Sequence, residues 1–166
     1  MVRIGLISDT HGYLDPLVFT YFKDVDEIWH AGDAGSLKLL DDLKAFKPLR
    51  AVYGNIDNAT LRREWPRDMR FDIEGLRVVM THIGGRPGNY AKPALPLILN
   101  NPCDLFICGH SHICLVKRDT QHGFLYMNPG AAGQHGFHHM RTLLRFTIDR
   151  GKLDSLEVVE LGKRGN

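Results

Sequence analysis

Val2-Arg3-Ile4-Gly5-Leu6-Ile7-Ser8-Asp9-Thr10-His11-Gly12 sets the pattern of this chain. A short apolar run, in part β-branched, reads as a buried strand, and it ends abruptly in a polar cluster, Asp9-Thr10-His11. The same arrangement recurs. Asp26 to His30 runs into Gly32-Asp33, Leu49 to Tyr53 into Gly54-Asn55, Leu76 to Thr81 into His82, and Cys103 to Cys108 into Gly109-His110-Ser111-His112. Seven side chains able to bind a cation, Asp9, His11, Asp33, Asn55, His82, His110 and His112, are thereby delivered to the ends of separate strands.

Between these strands the chain reads as helix. Asp15 is placed to cap a first helix with Pro16 at its first position. Ser36 caps a second, whose Leu37, Leu40 and Leu43 fall at helical spacing. This βαβαβ opening predicts a parallel sheet with helical crossovers, and in such sheets ligands gather beyond the carboxyl ends of the strands. The second half changes character. Arg70 to Ile73 and Leu76 to Thr81 form a hairpin about Glu74-Gly75, and Tyr90 to Leu99 reads as a helix interrupted or begun by Pro93 and Pro96. Cys103 to Cys108, Ile113 to Arg118, Phe124 to Met127, Leu143 to Ile148 and Leu153 to Leu161 read as strands, the last two as a terminal hairpin about Arg150-Gly151. The fold class expected is α/β: a two-sheet β-sandwich flanked by helices, in one domain spanning residues 1–166.

Composition narrows the function classes. The 166 residues are 43% hydrophobic, enough for one substantial core. Lys and Arg number 21 against 19 Asp and Glu, and no segment gathers the positive charge into a stripe, so no strong footprint for duplex nucleic acid is expected. The three cysteines, Cys103, Cys108 and Cys114, show no paired spacing and read as reduced thiols in or near the core. The apolar run before Ser8 is too short for a signal peptide, and no stretch is long enough to span a bilayer, so the expected location is cytoplasmic without membrane attachment.

Taken singly, each polar block has a plainer reading. Asp-x-His is a turn with a capping aspartate, Gly-Asp and Gly-Asn are turns, and a lone histidine is a satisfied core or loop residue. The conjunction carries the argument. Asp9 and His11 stand two apart, so an extended backbone would turn both side chains to one side. Carboxylate, amide and imidazole together suit two divalent transition metals held close together, and such a pair hydrolyses phosphate esters.

The order of these blocks, from Ser8-Asp9-Thr10-His11-Gly12 to Asn128-Pro129-Gly130, resembles the calcineurin-like metallophosphoesterases. Within them it is most similar to the small single-domain phosphodiesterases of the bacterial and archaeal branch, which also resembles the retromer scaffold subunit. The resemblance implies a four-layer α-β-β-α fold and a metal-dependent phosphodiesterase in which a metal-bridging hydroxide attacks phosphorus in line. It implies that Asp9, His11 and His112 hold one ion and Asn55, His82 and His110 the other, with Asp33 bridging. Of these, Asp33, Asn55 and His110 are expected to act directly in catalysis. The cofactors implied are two divalent ions, manganese in vitro or else iron or zinc, and the partner a small phosphorylated or phosphodiester substrate, with a homo-oligomer open.

Many relatives carry a histidine directly after the asparagine, able to protonate the leaving oxygen; this chain has Ile56, then Asp57. Diesters and activated esters are therefore the expected substrates. Asp57 reads either as an orienting group for a ligand or as a cap. His135, His138 and Arg141, in or beside the Gly-rich loop 128–139, are candidate contacts to substrate phosphate, against the reading of a solvated loop. His30 and His122 are taken as structural. Two other functions compete: a non-catalytic or weakly catalytic scaffold like the retromer subunit, which a full set of ligand residues weighs against, and a nuclease, which the lack of a basic stripe weighs against.

Overall fold

The computed structural model describes residues 1–165. In chain order the elements are β1 (Val2–Ile7), α1 (Leu17–Tyr21), β2 (Glu27–His30), α2 (Leu37–Phe46), β3 (Leu49–Ala51), α3 (Ala59–Glu64), β4 (Asp68–Ile73), β5 (Leu76–Thr81), β6 (Gly85–Arg86), β7 (Asn89–Tyr90), α4 (Leu95–Leu99), β8 (Leu105–Ile107), β9 (Cys114–Asp119), β10 (Phe124–Pro129), β11 (Met140–Asp149) and β12 (Lys152–Lys163). Two mixed five-stranded sheets result, ordered β12-β11-β1-β2-β3 and β4-β5-β8-β10-β9, with β6 and β7 as a separate small hairpin. The α/β fold of two sheets flanked by helices expected from sequence is the observed fold.

Strand pleat explains the layers, because successive side chains leave opposite faces. Ile4 and Leu6 of β1, Trp29 of β2, Val78 and Met80 of β5, and Leu105 and Ile107 of β8 meet between the sheets with Leu144, Phe146 and Ile148 of β11. The alternate residues point outward. Ile7 and Ile28 pack against Val18 and Phe22 beside α1 and against Leu39, Leu40 and Leu43 of α2. On the far side Val79 and Phe106 pack with Ala94 and Ile98. Gly5 makes the first contact possible: a Cβ there would lie 2.6 Å from the Phe22 ring.

Register fixes where the loops emerge. β1 pairs parallel to β2 with Ile7 beside His30, and β2 to β3 with His30 beside Ala51, so the three parallel strands end level. In the second sheet β5 pairs parallel to β8 with Met80 beside Ile107. The hairpin turns Glu74-Gly75 and Arg150-Gly151 have positive φ at both residues, the geometry of a two-residue type I′ turn.

Several boundaries differ from expectation. β3 stops at Ala51 rather than Tyr53, and β8 covers Leu105–Ile107 only. The stretch expected as one helix from Tyr90 begins in β7, where Tyr90 pairs with Gly85; a 3-10 turn, Lys92–Ala94, then leads into α4. Asn128 and Pro129 belong to β10, so the Gly-rich connection is shorter than read. The short helix α3 was not expected at all.

Candidate metal centre

Five loops leave the level strand ends and meet. Backbone hydrogen bonds stitch them: Asp9 N–H to Gly32 O at 3.0 Å, His11 N–H to Asp33 O at 3.0 Å, Gly109 N–H to His82 O at 3.0 Å and Gly133 N–H to Asp9 O at 3.0 Å. The extended backbone expected at Asp9 and His11 is not what aims them. Asp9 (φ 53°), His11 (φ 46°), Asp33 (φ 53°), His110 (φ 70°) and His112 (φ 61°) all adopt left-handed backbone. Such φ values cost a non-glycine residue on the order of 1–3 kcal/mol and persist where surrounding structure enforces them.

Two donor sets result. Asp9, His11 and His112 form one and Asp33, His82 and His110 the other, each with donor atoms within 4.8 Å of one another. Asn55 joins the second, its Oδ1 lying 3.1 Å from His110 Nδ1. Asp33 faces both: its Oδ2 is 3.1 Å from His82 Nε2 and 3.5 Å from His11 Nε2. His112 Nε2 stands 3.2 Å from Asp9 Oδ1.

Among the described residues four buried side-chain atoms have no hydrogen-bond partner: three on donor residues, Asp9 Oδ1, His11 Nε2 and His82 Nε2, and His138 Nδ1 beside them. Each unsatisfied group costs about 1–3 kcal/mol. A divalent cation in the first set would satisfy Asp9 Oδ1 and His11 Nε2, and one in the second would satisfy His82 Nε2, so the donor sets fit such ions. His82 is oriented for that purpose, since its Nδ1 is held 2.8 Å from Ala31 O and its Nε2 is left facing the carboxylates. Burial opposes ionisation of Asp33, yet the His82 ring 3.1 Å away and the Ile56 N–H outweigh it and hold the carboxyl below its usual range. Burial likewise disfavours the His82 imidazolium, but Asp33 and Asp9 draw its pKa upward. A cation and that proton therefore compete for one place.

The supporting residues were the least legible part of the sequence. Asp57 is buried, accepting from Gly54 N–H at 2.8 Å, Gly35 N–H at 2.8 Å and Ala34 N–H at 3.3 Å, and so ties the Asp33 loop to the Asn55 loop. Arg62 of α3 donates to Asp57 O at 2.8 Å and Asn55 O at 3.0 Å, bracing the same loop. Asn128 donates to Gly109 O and Ser111 Oγ, both at 3.0 Å, and steadies the His-Ser-His turn. The sequence offered it only as part of the Asn128-Pro129-Gly130 turn, whose resemblance implied a place near the site.

Of the expected phosphate contacts, His135 and His138 line the cleft, their rings 4.9 Å from His11 and 5.1 Å from His112. Arg141 does not. It is buried, donating to Asp15 Oδ2 at 2.6 Å, Lys163 O at 3.0 Å and Leu161 O at 3.1 Å, so its charge is committed to the fold. Breaking a buried pair costs about 3–5 kcal/mol. Arg141→Ala is expected to lose that much unfolding free energy in a urea titration while its KM for an ester stays unchanged; a raised KM at intact stability would restore the substrate role.

His30, read as structural, has identifiable partners. Its Nδ1 accepts from Gly32 N–H at 3.1 Å and its Nε2 is 3.0 Å from Thr10 Oγ1, which donates to Ala34 O. Burial pushes this imidazole down to about 4. Between that value and the unfolded 6.5 the unfolded chain binds the extra proton, so stability is full above pH 6.5 and falls as pH drops toward 4. The loss approaches ~3 kcal/mol. Denaturant melts of the metal-free protein from pH 7.5 to 4.5 check it, and His30→Gln should flatten the slope.

The Calcineurin-like phosphoesterase superfamily domain matches residues 2–151. This chain belongs to that superfamily. A probable metallophosphoesterase of Methanothermobacter thermautotrophicus is 34% identical over 133 residues, covering 77% of this chain and 76% of its own. Among solved structures, a novel archaeal phosphodiesterase superposes with a TM-score of 0.77 at 22% identity, covering 96% of this chain and 99% of its own. Vps29 of Entamoeba histolytica complexed with zinc superposes with a TM-score of 0.70 at 17% identity, covering 98% and 99%. As a calcineurin-like phosphoesterase the chain is a phosphoester hydrolase of a metal-dependent family, and the two structures speak to fold alone.

Proposed function

We propose that this protein is a binuclear metal-dependent phosphodiesterase. The observation that carries the reading is the meeting of two donor sets at Asp33, with three buried donor atoms left unpaired around it. Asp9, His11, His112 and Asp33 would hold one divalent ion, and Asp33, Asn55, His82 and His110 the second. Such a pair supplies charge that binds phosphate oxygens and acidifies water near neutral pH. By analogy of fold, one structural neighbour is an archaeal phosphodiesterase and another, Vps29, is complexed with zinc.

The chain's own residues define the rest. Asp33 brings negative charge between two cations, whereas the Asn55 amide adds a donor without further charge and keeps the cleft attractive to an anion. The left-handed turns hold the imidazoles preorganised, so no reorganisation accompanies charge development on phosphorus. Ile56, half exposed at the cleft, offers no proton to the departing oxygen. No proton reaches the ester oxygen from this position, which favours activated esters. Ile56→His is expected to raise turnover of alkyl esters by about a hundredfold, the low end of general-acid catalysis, with little change for aryl esters. No gain on alkyl esters would remove Ile56 as the explanation.

A hydrolysis screen of the metal-reconstituted protein tests the function, comparing monoesters, diesters, cyclic nucleotides and single-stranded nucleic acid with His110→Ala as control. Turnover of diesters that His110→Ala abolishes is the expected result. Metal binding without turnover of any ester would favour the scaffold.

A further inference from the structure

The donor residues His11, Asp33, Asn55, His110 and His112 line a cavity of about 510 Å³, and exposed apolar side chains stand among them. Ile56, Ile113 and Phe137 line it, together with Asp33, Asn55 and His112. Eight large hydrophobic side chains are exposed among the described residues, and three of them are these, with Phe137 99%, Ile113 63% and Ile56 47% exposed. Each comes from a different loop, so chance clustering along the chain does not account for them. Two follow a proposed metal ligand directly: Ile56 comes after Asn55 and Ile113 after His112.

Phe137 is held at the mouth of this cavity by the backbone beneath it. Gly136 has φ 130°, and a Cβ there would lie 2.3 Å from His112 Nδ1 and 3.2 Å from His138 Nδ1. Only glycine lets the main chain press this closely on the histidines. His138 Nε2 is 2.8 Å from Gly133 O, closing the loop on itself. A fully exposed phenyl ring is thereby displayed on an anchored loop beside a phosphate-sized centre.

Cavity size argues for a small occupant. A few hundred cubic ångströms suits a small molecule, whereas three side chains do not approach the roughly 800 Å² that each partner contributes to a stable protein interface. Aromatic rings stack on a flat aromatic side chain regardless of their substituents, and the β-branched isoleucines offer apolar walls. The donor residues take the phosphate, and the apolar side chains take what is esterified to it.

We propose that Phe137, Ile113 and Ile56 form a subsite for a flat aromatic ring carried by the esterifying group, which favours an aryl or nucleoside diester over one that carries no ring. This rests on the phosphodiesterase reading above. The ring belongs either to a phenol or to a nucleobase, and the shared chemistry is stacking on Phe137. Ile56 then serves as an apolar wall for either ring; an aryl ester departs as a phenolate without a proton from this position, whereas a nucleoside ester departs as a sugar alkoxide and turns over more slowly.

Calorimetric binding of phenylphosphonate and methylphosphonate to the manganese-loaded protein reads the subsite without turnover. Phenylphosphonate is expected to bind about tenfold tighter, Phe137→Ala to erase the difference and Phe137→Trp to keep it. Because Phe137 is fully exposed, its loss leaves the fold intact, which a melting curve verifies. Kinetics on bis(4-nitrophenyl) phosphate and on 2′,3′-cyclic AMP separate the sources: the ester whose ring occupies the mouth loses about tenfold in kcat/KM, through KM, in Phe137→Ala. Loss on neither ester overturns the proposal. Equal affinity for the two phosphonates overturns the subsite and leaves the phosphodiesterase standing, whereas failure of both to bind overturns both. Self-association that Phe137→Ala abolishes, with the phenyl preference unchanged, would also overturn it and assign the mouth to a second copy of the chain.

Discussion

Asparagine in place of Asp33 is expected to lower kcat on a diester by on the order of a thousandfold while leaving the fold intact. The side chain keeps its shape, so packing is preserved. What changes is charge and donor character at the point where both donor sets converge. Asp33 Oδ2 faces His82 Nε2 at 3.1 Å and His11 Nε2 at 3.5 Å, and its Oδ1 accepts the Ile56 N–H at 3.1 Å. An amide can satisfy that N–H with its oxygen only by turning its NH₂ toward the place a cation would occupy. In the proposed binuclear site the cations would then lack the negative charge that offsets their repulsion. A thousandfold loss corresponds to about 4 kcal/mol of transition-state stabilisation, the scale expected of Lewis-acid charge. Metal analysis after dialysis should fall from two equivalents toward one. The rise in melting temperature on adding manganese should shrink with it, since ligand binding to the native state stabilises by mass action. Undiminished turnover with two bound equivalents would remove Asp33 from the bridging position.

How much of this was legible follows from where each signal is encoded. The strands β1, β2 and β5 could be read because their apolar runs are local and each ends in a polar cluster. The hairpin turns could be read because Glu74-Gly75 and Arg150-Gly151 carry their conformation in two residues. α3 could not: in six residues it buries only Leu61, so no periodicity announces it. Asn58, whose Oδ1 caps it by accepting from Leu61 N–H at 3.0 Å, was the available local sign. The donor residues were legible as a set, but the way the backbone aims them was not. Alternation along a strand predicts that Asp9 and His11 share a side, whereas the left-handed turns at both positions are imposed by hydrogen bonds to Gly32 and Asp33, more than twenty residues away. Arg141 failed for the same reason. A basic residue near a glycine-rich loop suggests an anion in solution, and only the fold brings Asp15, 126 positions distant, against its guanidinium. Phe137 between Gly136 and His138 was visible as an apolar residue in a polar loop, and its exposure is a property of three-dimensional packing alone.

A single methyl group at Gly54 is expected to do nearly as much damage as removing a ligand. The Cβ of Gly54→Ala would stand 2.0 Å from Asp33 Oδ1 and 2.4 Å from the Asp33 backbone nitrogen, distances that real structures do not tolerate. The side chain and the main chain of Asp33 must both retreat. Neither can do so freely, because Asp33 O accepts from His11 N–H at 3.0 Å and Asp57 binds Gly54 N–H at 2.8 Å, fixing the two loops against each other. The strain therefore appears as displacement of the carboxylate from its place between His11 and His82 rather than as unfolding of β1 or β2, whose pairing lies below these loops. Loss of an orienting partner beside a metal ligand typically costs 10- to 100-fold, and moving the shared carboxylate itself should reach the upper end of that range in both metal affinity and kcat. Gly5→Ala supplies the comparison. Its Cβ would lie 2.6 Å from the Phe22 ring, a clash within β1 and the core beneath α1. Gly5→Ala should lower thermal stability with metal affinity retained, and Gly54→Ala the reverse. Equal losses of metal affinity in the two variants would mean that the loop geometry around Asp33 does not control the site.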